Sequence, residues 1–361
     1  MSKKREILLV GVYPPPYGGV SVHIERLERL INNTNNYVCR VIDVSGVEDR
    51  KKKEKKNIIL LNGNKICIVI KMMFAINKFK GDIIHFHVSA LKNFGLAGIP
   101  LLFSNKRARK VITIHGGSFI NNYLKSNWFQ KIMIKFLLKR FDHIITVNKE
   151  QSDFIKNELK VNVSISSIPA FLPPLYEEDS LIDNEIKSFK AIFNRIILTS
   201  GFMLKYYGFD IIIEALEEII NEYLYSAGLI IVSYTKEDIN YKNKILEMIK
   251  DKENIKFYQN LTPADFATIL KGSDIFIRAT DRDGDAVSLR EAIFFNKQVI
   301  ASDCVKRPKG VILFKTMDKK DLKDKIKNVL DNPNLGRAIN NENYYEELLD
   351  LYEMLISERR V

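Results

Sequence analysis

The most informative part of the chain reads RATDRDGDAVSLREA, residues 278–292. It follows the apolar run Ile275-Phe276-Ile277 and continues into a segment with apolar periodicity, which predicts a strand, a polar turn and a helix. Parallel α/β sheets bind ligands at the carboxyl ends of their strands. A helix that begins near Gly284 or Asp285 would also direct unpaired N–H groups towards a phosphate. The turn therefore predicts a binding site for a phosphorylated ligand.

Two carboxylates in this stretch are spaced to face one ligand. Asp283 stands at the mouth of the turn, and Glu291 follows eight residues later, a little over two helical turns, so both lie on about the same side of the helix. The spacing alone favours a solvated acidic turn before an ordinary surface helix. The crowding of three carboxylates and two arginines around a strand end shifts the interpretation towards a site.

Length and composition describe a globular protein of two domains. A chain of 361 residues exceeds one typical core. No run approaches the ~20 apolar residues of a membrane span, and the basic start at residues 1–5 leads into a strand-like segment broken by Tyr, Pro and Gly, unlike a signal peptide. Cys39, Cys67 and Cys304 lack the spacing of a metal or redox motif. We therefore expect a cytoplasmic protein with free thiols, no structural metal site and no cofactor.

The net charge of +12 favours anionic partners such as phosphorylated small molecules or acidic lipids, although a lysine-rich solvated surface explains much of the excess. Basic residues do not interleave with aromatic ones as in nucleic-acid-binding motifs, so no nucleic acid is expected as a partner. The segment Tyr123–Arg140 combines Trp128 with apolar and basic side chains. Peripheral membrane helices have this composition, but so do helices that pack on a sheet, and the second interpretation is favoured.

Strand-like and helix-like segments alternate along the chain, as in the βαβ units of a parallel sheet. The alternation starts at Ile7, stops at the proline-containing segment Pro169–Pro174 and resumes at Ile196. The sequence thus predicts an α/β fold of two doubly wound Rossmann-like domains facing a cleft, residues 1–172 and 173–340, with ligands at both facing strand ends.

A glycine pair in the first half precedes a helix. Gly18 and Gly19 follow a proline-rich turn, and a helix is predicted from about Ser21, so backbone N–H groups can approach a ligand closely there. Neither a P-loop nor a dinucleotide fingerprint is present. A lone Gly-Gly turn is weak evidence, because most such pairs are only turns.

One histidine stands at a position suited to a ligand. His115 ends a predicted strand and is followed by two glycines, so its ring can face the crevice. His85 and His87, within a strand, are predicted to belong to the core or to support the site from behind. His23, in a helix, and His143, at a strand start, are predicted to be structural or surface groups.

Together these motifs resemble the family 4 glycosyltransferases, which have the glycosyltransferase-B (GT-B) fold, over essentially the full chain. The stretch at residues 283–292 matches the family's E-x7-E motif with Asp as the first acid. The segments at residues 16–20, 113–116 and 208–210 also match. The closing helix, about residues 341–361, resembles the family's C-terminal helix that packs back on the first domain.

The resemblance implies a nucleotide-sugar donor, a UDP- or GDP-sugar, held by the second domain and an acceptor held by the first. It implies retention of anomeric configuration without a metal. Glu291 would bind the donor ribose, Asp283 with nearby amides the sugar hydroxyls, Gly18 and Gly19 the diphosphate or acceptor, and His115 would lie near the reacting carbon. The implied donor-binding residues are Gly201, Arg282, Gly284, Asp285, Ala286, Val287, Arg290 and Glu291.

The chain departs from the family pattern at the diphosphate. The family often has an arginine near residue 202 and a lysine just before the glycine at 208, whereas this chain has Phe202 and Tyr207. Lys205 is the predicted catalytic replacement, assisted by Arg282, Arg290 or Arg307. Asp281-Arg282-Asp283 also spells the D-x-D of metal-dependent transferases, but the residues that follow fit the E-x7-E helix better.

Two other functions stay open: a binding-only or partner-activated subunit, and a nucleotide-sugar 2-epimerase. The first is motivated by the missing cation pair. The second needs several acid–base residues, of which this histidine-poor chain offers few. The expected acceptor is a polyprenyl-diphosphate-linked sugar or a saccharide at the inner face of the cell membrane, as in capsule or exopolysaccharide synthesis.

Overall fold

The computed structural model describes residues 4–47, 54–89, 98–101, 107–174, 182–284, 286–333, 335 and 344–358. The chain divides into two compact units: an N-terminal unit, Met1–Leu172 with Asn343–Val361, and a C-terminal unit, Pro173–Glu342. Asp285, one of the predicted donor-binding residues, lies outside the described residues.

The N-terminal unit is built on a parallel sheet of seven strands in the order β3-β2-β1-β4-β5-β6-β7. The strands are β1 (Arg5–Gly11), β2 (Tyr37–Asp43), β3 (Ile58–Leu60), β4 (Ile83–Val88), β5 (Arg109–Ile114), β6 (His143–Thr146) and β7 (Ser164–Ser167). The helices are α1 (Gly19–Asn32), α2 (Lys65–Lys78), α3 (Phe119–Lys125), α4 (Trp128–Leu138), α5 (Lys149–Asp153), which continues as a π-helical turn (Phe154–Glu158), and the closing helix Tyr344–Ser357.

The central strands of this sheet are apolar on both faces because helices cover both. Along β1, Leu8 and Val10 belong to one buried cluster, and Ile7 and Leu9 to the other. The closing helix contributes Tyr352, which is fully buried, to the second cluster. Such two-sided burial is typical of parallel sheets whose crossover helices lie on both faces.

The C-terminal unit has a parallel sheet of six strands in the order β10-β9-β8-β11-β12-β13. The strands are β8 (Arg195–Met203), β9 (Ala227–Glu237), β10 (Ile255–Gln259), β11 (Ile275–Arg278), β12 (Gln298–Ser302) and β13 (Ile312–Phe314). The helices are α6 (Asp183–Ile192), α7 (Phe209–Tyr223), α8 (Ile239–Ile249), α9 (Pro263–Gly272), α10 (Val287–Phe294) and α11 (Lys319–Asp331), with a 3₁₀ turn at Lys205–Tyr207. The closing helix is α12.

Both sheets are doubly wound, so the predicted fold class is confirmed for each unit. The strand order reverses between β1 and β4 in the first sheet and between β8 and β11 in the second. Loops after such neighbouring strands leave in opposite directions, and this topological switch point is where open α/β sheets bind ligands. The predicted stretch at residues 278–292 therefore lies at the switch point of the C-terminal unit.

Among the described residues, no helix combines the length and the apolar character that crossing a membrane would require.

Candidate active site

Two loops meet at the switch point of the C-terminal unit. One follows β8 and contains the 3₁₀ turn, and the other connects β11 to α10. The backbone N–H of Asp281 donates to the carbonyl of Tyr206 over 2.9 Å, which ties the loops together. Gly208 ends the 3₁₀ turn with φ +67°, and a Cβ there would lie 2.7 Å from the carbonyl oxygen of Ala279. Both the backbone conformation and the close approach require glycine.

The Asp283 carboxylate is held between two arginines. Arg278 donates from Nε to Oδ2 and from Nη2 to Oδ1, both over 3.0 Å. Arg307 donates from Nη1 to Oδ2 over 2.9 Å. The three side chains are 8%, 10% and 3% exposed for Asp283, Arg278 and Arg307 respectively. Burial opposes ionisation, but the two guanidinium groups outweigh it and lower the pKa of Asp283 below its usual value.

Arg278 is fixed by further contacts on its other side. Its Nη1 donates to the carbonyl of Ser200 over 3.0 Å, and its guanidinium lies over the ring of Tyr207, 4.8 Å from the centroid. The ring of Tyr207 packs against Gly201, where a Cβ would lie 2.0 Å from a ring carbon. Gly201 therefore makes room for Tyr207, and Tyr207 supports Arg278.

Arg307 reaches the same carboxylate from the segment after β12. Its Nε donates to the carbonyl of Ser302 over 3.0 Å, and its Nη2 lies 3.3 Å from the Ser302 hydroxyl. These contacts place the guanidinium firmly against Asp283, because Ser302 is itself fully buried at the end of its strand. Arg307 was among the cations predicted to assist Lys205, whereas Arg278 was counted only among the arginines around the strand end and was given no role.

The start of α10 places the remaining predicted residues of the stretch. Ala286 is the buried N-cap residue and Val287 the first helical residue, while Gly284 is half-buried. Glu291 is 5% exposed, so it is not the surface glutamate of an ordinary amphipathic helix. Arg290 is half-buried on the same helix.

Two of the predicted cations lie on the surface. The Lys205 side chain is exposed. Arg282, 63% exposed, pairs with Asp281 through Nε and Oδ1 at 2.5 Å and lies over the ring of Tyr206. In the D-x-D sequence, both carboxylates thus face arginines, which is not the environment of a divalent-metal ligand pair.

His115 belongs to a cluster of histidines in the N-terminal unit. Its Nε2 lies 3.0 Å from Nδ1 of His87, and its ring centroid lies 4.9 Å from that of His23. His23 comes from α1, where its Nδ1 bonds the carbonyl of Ala170 at 2.7 Å. Since this is the switch point between β1 and β4, the first unit also places polar side chains at the expected edge.

A second layer of hydrogen bonds lies behind His87. The ring of His85 lies 4.1 Å from that of His87, and its Nδ1 and Nε2 bond the Tyr352 hydroxyl at 2.6 Å and the Thr113 hydroxyl at 2.7 Å. Burial lowers the pKa of His115, His87 and His85 well below 6.5, and that of His23 to about 4. These imidazoles are therefore neutral at pH 7. Contact of His87 with His115 agrees with the predicted supporting role, whereas the prediction of a structural or surface role for His23 did not anticipate its contact with His115.

The cluster has the composition of a transition-metal site. Within the part of the chain that the structure describes, His23, His87 and His115 form the group of possible ligands whose nitrogen atoms lie within 4.8 Å of one another. Nε2 of His87 is buried and has no hydrogen-bond partner among the described residues. Neutral imidazoles are zinc and copper ligands. The expectation of a metal-independent protein stays a prediction.

The predicted Gly18-Gly19 pair forms the start of α1. Gly18 is its N-cap, and a Cβ there would meet nothing within 4 Å. The Ser21 hydroxyl donates to the carbonyls of Pro16 and Gly18 at 2.8 and 3.1 Å, which stabilises the proline-rich turn. The position is thus open to a ligand, although packing does not require glycine there.

Helix α4 presents an apolar face to solvent. Trp128, Phe129 and Ile132 are 74%, 61% and 58% exposed, while Ile134 and Leu138 face the core. Basic side chains flank this face: Lys125 and Arg140 are exposed, and the Arg140 guanidinium lies over the ring of Phe136. Helix α4 thus packs on the sheet through Ile134 and Leu138, as the favoured interpretation expects, and also leaves a second apolar face exposed.

Two family models match the chain. Glycosyl transferase 4-like matches residues 19–148, and Glycosyl transferases group 1 matches residues 183–345. Two uncharacterized glycosyltransferases of Methanocaldococcus jannaschii are similar along most of their length. One is 24% identical, in an alignment that covers 95% of this chain and 93% of the relative. The other is 21% identical, in an alignment that covers 92% of this chain and 91% of the relative.

Solved structures share the fold. Sucrose-phosphate synthase from Thermosynechococcus elongatus superposes with a TM-score of 0.73 at 13% identity, covering 98% of this chain and 97% of its own. Anabaena HepE, solved in complex with UDP-glucose, superposes with a TM-score of 0.69 at 13% identity, covering 99% and 98%.

Proposed function

The chain belongs to the family 4-like glycosyltransferases with the GT-B fold, and from that premise we propose that it moves a sugar from a UDP- or GDP-sugar to a polyprenyl-diphosphate-linked or saccharide acceptor. The donor binds the C-terminal unit and the acceptor the N-terminal unit. The transfer retains anomeric configuration and needs no metal.

The observation that carries the donor proposal is the buried Glu291 eight residues after Asp283, at the switch point of the second sheet. A carboxylate that is 5% exposed on the first turns of a helix can accept hydrogen bonds from ribose hydroxyls without competition from bulk water. Because HepE shares this fold and was solved with UDP-glucose, a uracil nucleotide is the first donor to test.

The reaction breaks the bond between the anomeric carbon and a phosphate oxygen, and the nucleoside diphosphate leaves with the electron pair. The acceptor hydroxyl oxygen forms the new bond to that carbon and loses its proton, which the departing diphosphate accepts. Negative charge grows on the departing diphosphate, so fixed positive groups lower the barrier. In the N-terminal unit, the neutral His115 is suited to hydrogen bonding with a sugar hydroxyl near the reacting carbon, because it carries no charge that would oppose an oxocarbenium-like centre.

The exposed face of α4 supports a membrane-bound acceptor. Aromatic side chains flanked by lysine and arginine bind the boundary between headgroups and acyl chains of anionic bilayers. A polyprenyl-diphosphate-linked sugar at the inner face of the cell membrane, as in capsule or exopolysaccharide synthesis, is an acceptor that such docking would bring within reach of the enzyme.

A ligand screen followed by an assay tests the function. UDP-, GDP-, ADP- and TDP-sugars are compared by thermal shift, because a ligand that binds the native state raises its stability. The stabilising donor, radiolabelled, is then incubated with the protein and a membrane lipid extract. Transfer to lipid supports the proposal, whereas formation of an epimer or binding without turnover overturns it in favour of a 2-epimerase or a binding subunit.

A matched pair of variants locates the donor. Glu291→Gln should abolish most of the thermal shift, and Glu247→Gln, at an exposed position on α8, should leave it unchanged. The assay is run with and without EDTA. Full activity in EDTA supports metal independence, and strict dependence on Mn²⁺ would contradict it.

A further inference from the structure

The C-terminal unit has a buried net positive charge beside the proposed donor site. The motifs found in the sequence do not account for this charge. Arg278 and Arg307 share the single carboxylate of Asp283, so the cluster carries one net positive charge. All three side chains are at most 10% exposed. A buried charge that is not neutralised is costly, and an anion bound at the cluster would offset that cost.

The cluster lies at the place where the donor phosphates are expected. Arg278 is the last residue of β11, beside β8, and its guanidinium stands between Asp283 and the ring of Tyr207. The other cations near this strand end are less suited to hold an anion. Lys205 is exposed, and Arg282 is an exposed group already paired with Asp281.

The surroundings of Arg278 fix its orientation. Asp283 takes two of its N–H groups in a bidentate pair, Ser200 takes a third, and the Tyr207 ring lies against one face of the guanidinium. Arg278 also forms a hydrogen bond with the Tyr207 side chain. A guanidinium has five N–H groups, so these four hydrogen bonds leave one N–H group for a ligand. A planar group held in this way binds phosphate oxygens with little loss of side-chain entropy.

We propose that Arg278 contacts the donor diphosphate and stabilises its charge as the glycosidic bond breaks, with Tyr207 and Asp283 as positioning residues and Arg307 as the source of the surplus charge. This inference rests on the proposed function, which supplies the diphosphate. In this proposal, Asp283 orients Arg278 in addition to any contact that it makes with the sugar. Arg278, in place of the predicted Lys205, is then the principal cation of the site.

Calorimetric titration with nucleotides and nucleosides tests the assignment. UDP, uridine, GDP and guanosine are titrated into wild type, Arg278→Gln, Arg278→Lys and Arg195→Gln. A contact to the diphosphate predicts that Arg278→Gln weakens binding of the nucleoside diphosphate about 10- to 100-fold and leaves the nucleoside unchanged. Arg278→Lys, which keeps the charge but not the fork, should weaken it several-fold. Arg195→Gln, at the amino end of β8 and so at the opposite edge of the sheet, should resemble wild type.

Three outcomes contradict the inference. Wild-type affinity of Arg278→Gln for the diphosphate rules out the contact, and an equal loss for nucleoside and nucleotide shows a purely structural role. If Arg278→Gln does not fold, the same comparison is made with Arg278→Lys: its loss of affinity for the nucleoside diphosphate is compared with its loss for the nucleoside. Failure of the wild type to bind either diphosphate overturns the proposed function, and this inference with it, so the two failures are told apart by the wild-type titration.

The role of Tyr207 is tested by the same comparison of affinities for the nucleoside diphosphate and the nucleoside. Tyr207→Phe keeps the ring beneath the guanidinium and should keep the affinity for the diphosphate, whereas Tyr207→Leu removes the ring's electrostatic attraction and should lower it while the nucleoside still binds. Equal behaviour of the two variants would show that Tyr207 does not position Arg278.

Discussion

Asp283 and Arg307 are 24 residues apart in the chain, and their side chains meet at 2.9 Å. Arg307 follows β12 and Asp283 follows β11, and the parallel pairing of these strands brings both residues to one sheet edge. With Arg278 on the other side, the carboxylate holds two loops and a strand end together. This relationship gives Asp283 a structural role in the C-terminal unit.

Removal of the negative charge of Asp283 should destabilise the C-terminal unit. Asp283→Asn leaves two buried guanidinium groups without their carboxylate, which we expect to cost about 3 kcal/mol of unfolding free energy. Asp281→Asn, on the same loop but in the exposed pair with Arg282, should cost about 0–1 kcal/mol. Urea unfolding followed by hydrogen exchange and mass spectrometry measures each unit through its own peptides. Equal stability of the two variants would contradict the buried network.

Part of the C-terminal site was predictable, and part was not. The strand, turn and helix at residues 275–294 follow from local pattern, since an apolar run, glycine and an apolar-periodic segment act over short distances. Arg278 could have been noticed as a charge at the end of the apolar run IFI. Its partnership with Arg307 depends on strand order, which no local pattern specifies.

The histidine cluster, too, was only partly predictable from local sequence pattern. His115 was predicted from its position after a strand, but His23 comes from a helix far earlier in the chain. Its contact with His115 arises because β1 pairs with β4, and β4 with β5. For α4, both faces of the helix carry large apolar side chains, so periodicity could not tell which face the core takes.

Acid should destabilise the N-terminal unit through its histidines. All five histidines of the chain lie in this unit. Burial lowers the pKa of His23 and His143 to about 4, so the unfolded state, with an ordinary pKa near 6.5, binds more protons as the pH falls. Stability is therefore full above about pH 6.5 and is lost towards pH 4, by up to about 1.4 kcal/mol per pH unit for each histidine.

The C-terminal unit is the internal control for this pH dependence, because its sequence contains no histidine. The lowered pKa of Asp283 stabilises that unit above the ordinary carboxylate value of about 3.9, and this contribution is lost only as the pH falls below it. Hydrogen exchange between pH 8 and pH 5 should thus show loss of protection in N-terminal peptides alone. A parallel loss in both units would contradict burial of neutral histidines as the cause.

The exposed face of α4 should bind anionic vesicles. Replacement of Trp128 and Phe129 by serine removes apolar area that would enter the bilayer and should lower the fraction that sediments with phosphatidylglycerol vesicles several-fold at low salt. Ile192→Ser, at a residue 67% exposed in the other unit, should have no effect. Binding to neutral phosphatidylcholine should be weak. If the wild type does not sediment with either vesicle at low salt, the membrane proposal is wrong.

Two tyrosines on α12 offer a matched test of the hydrogen bonds behind the histidine cluster. The Tyr352 hydroxyl bonds Nδ1 of the buried His85 at 2.6 Å, whereas the Tyr345 hydroxyl is buried with no partner among the described residues. Tyr352→Phe leaves a buried imidazole nitrogen without its partner and should cost about 1–3 kcal/mol. Tyr345→Phe removes an unsatisfied hydroxyl and should be neutral or stabilising. Both changes delete one oxygen from the same helix, so the difference in unfolding free energy between them isolates the bond to His85. A difference near zero would show that this hydrogen bond contributes nothing to the N-terminal unit.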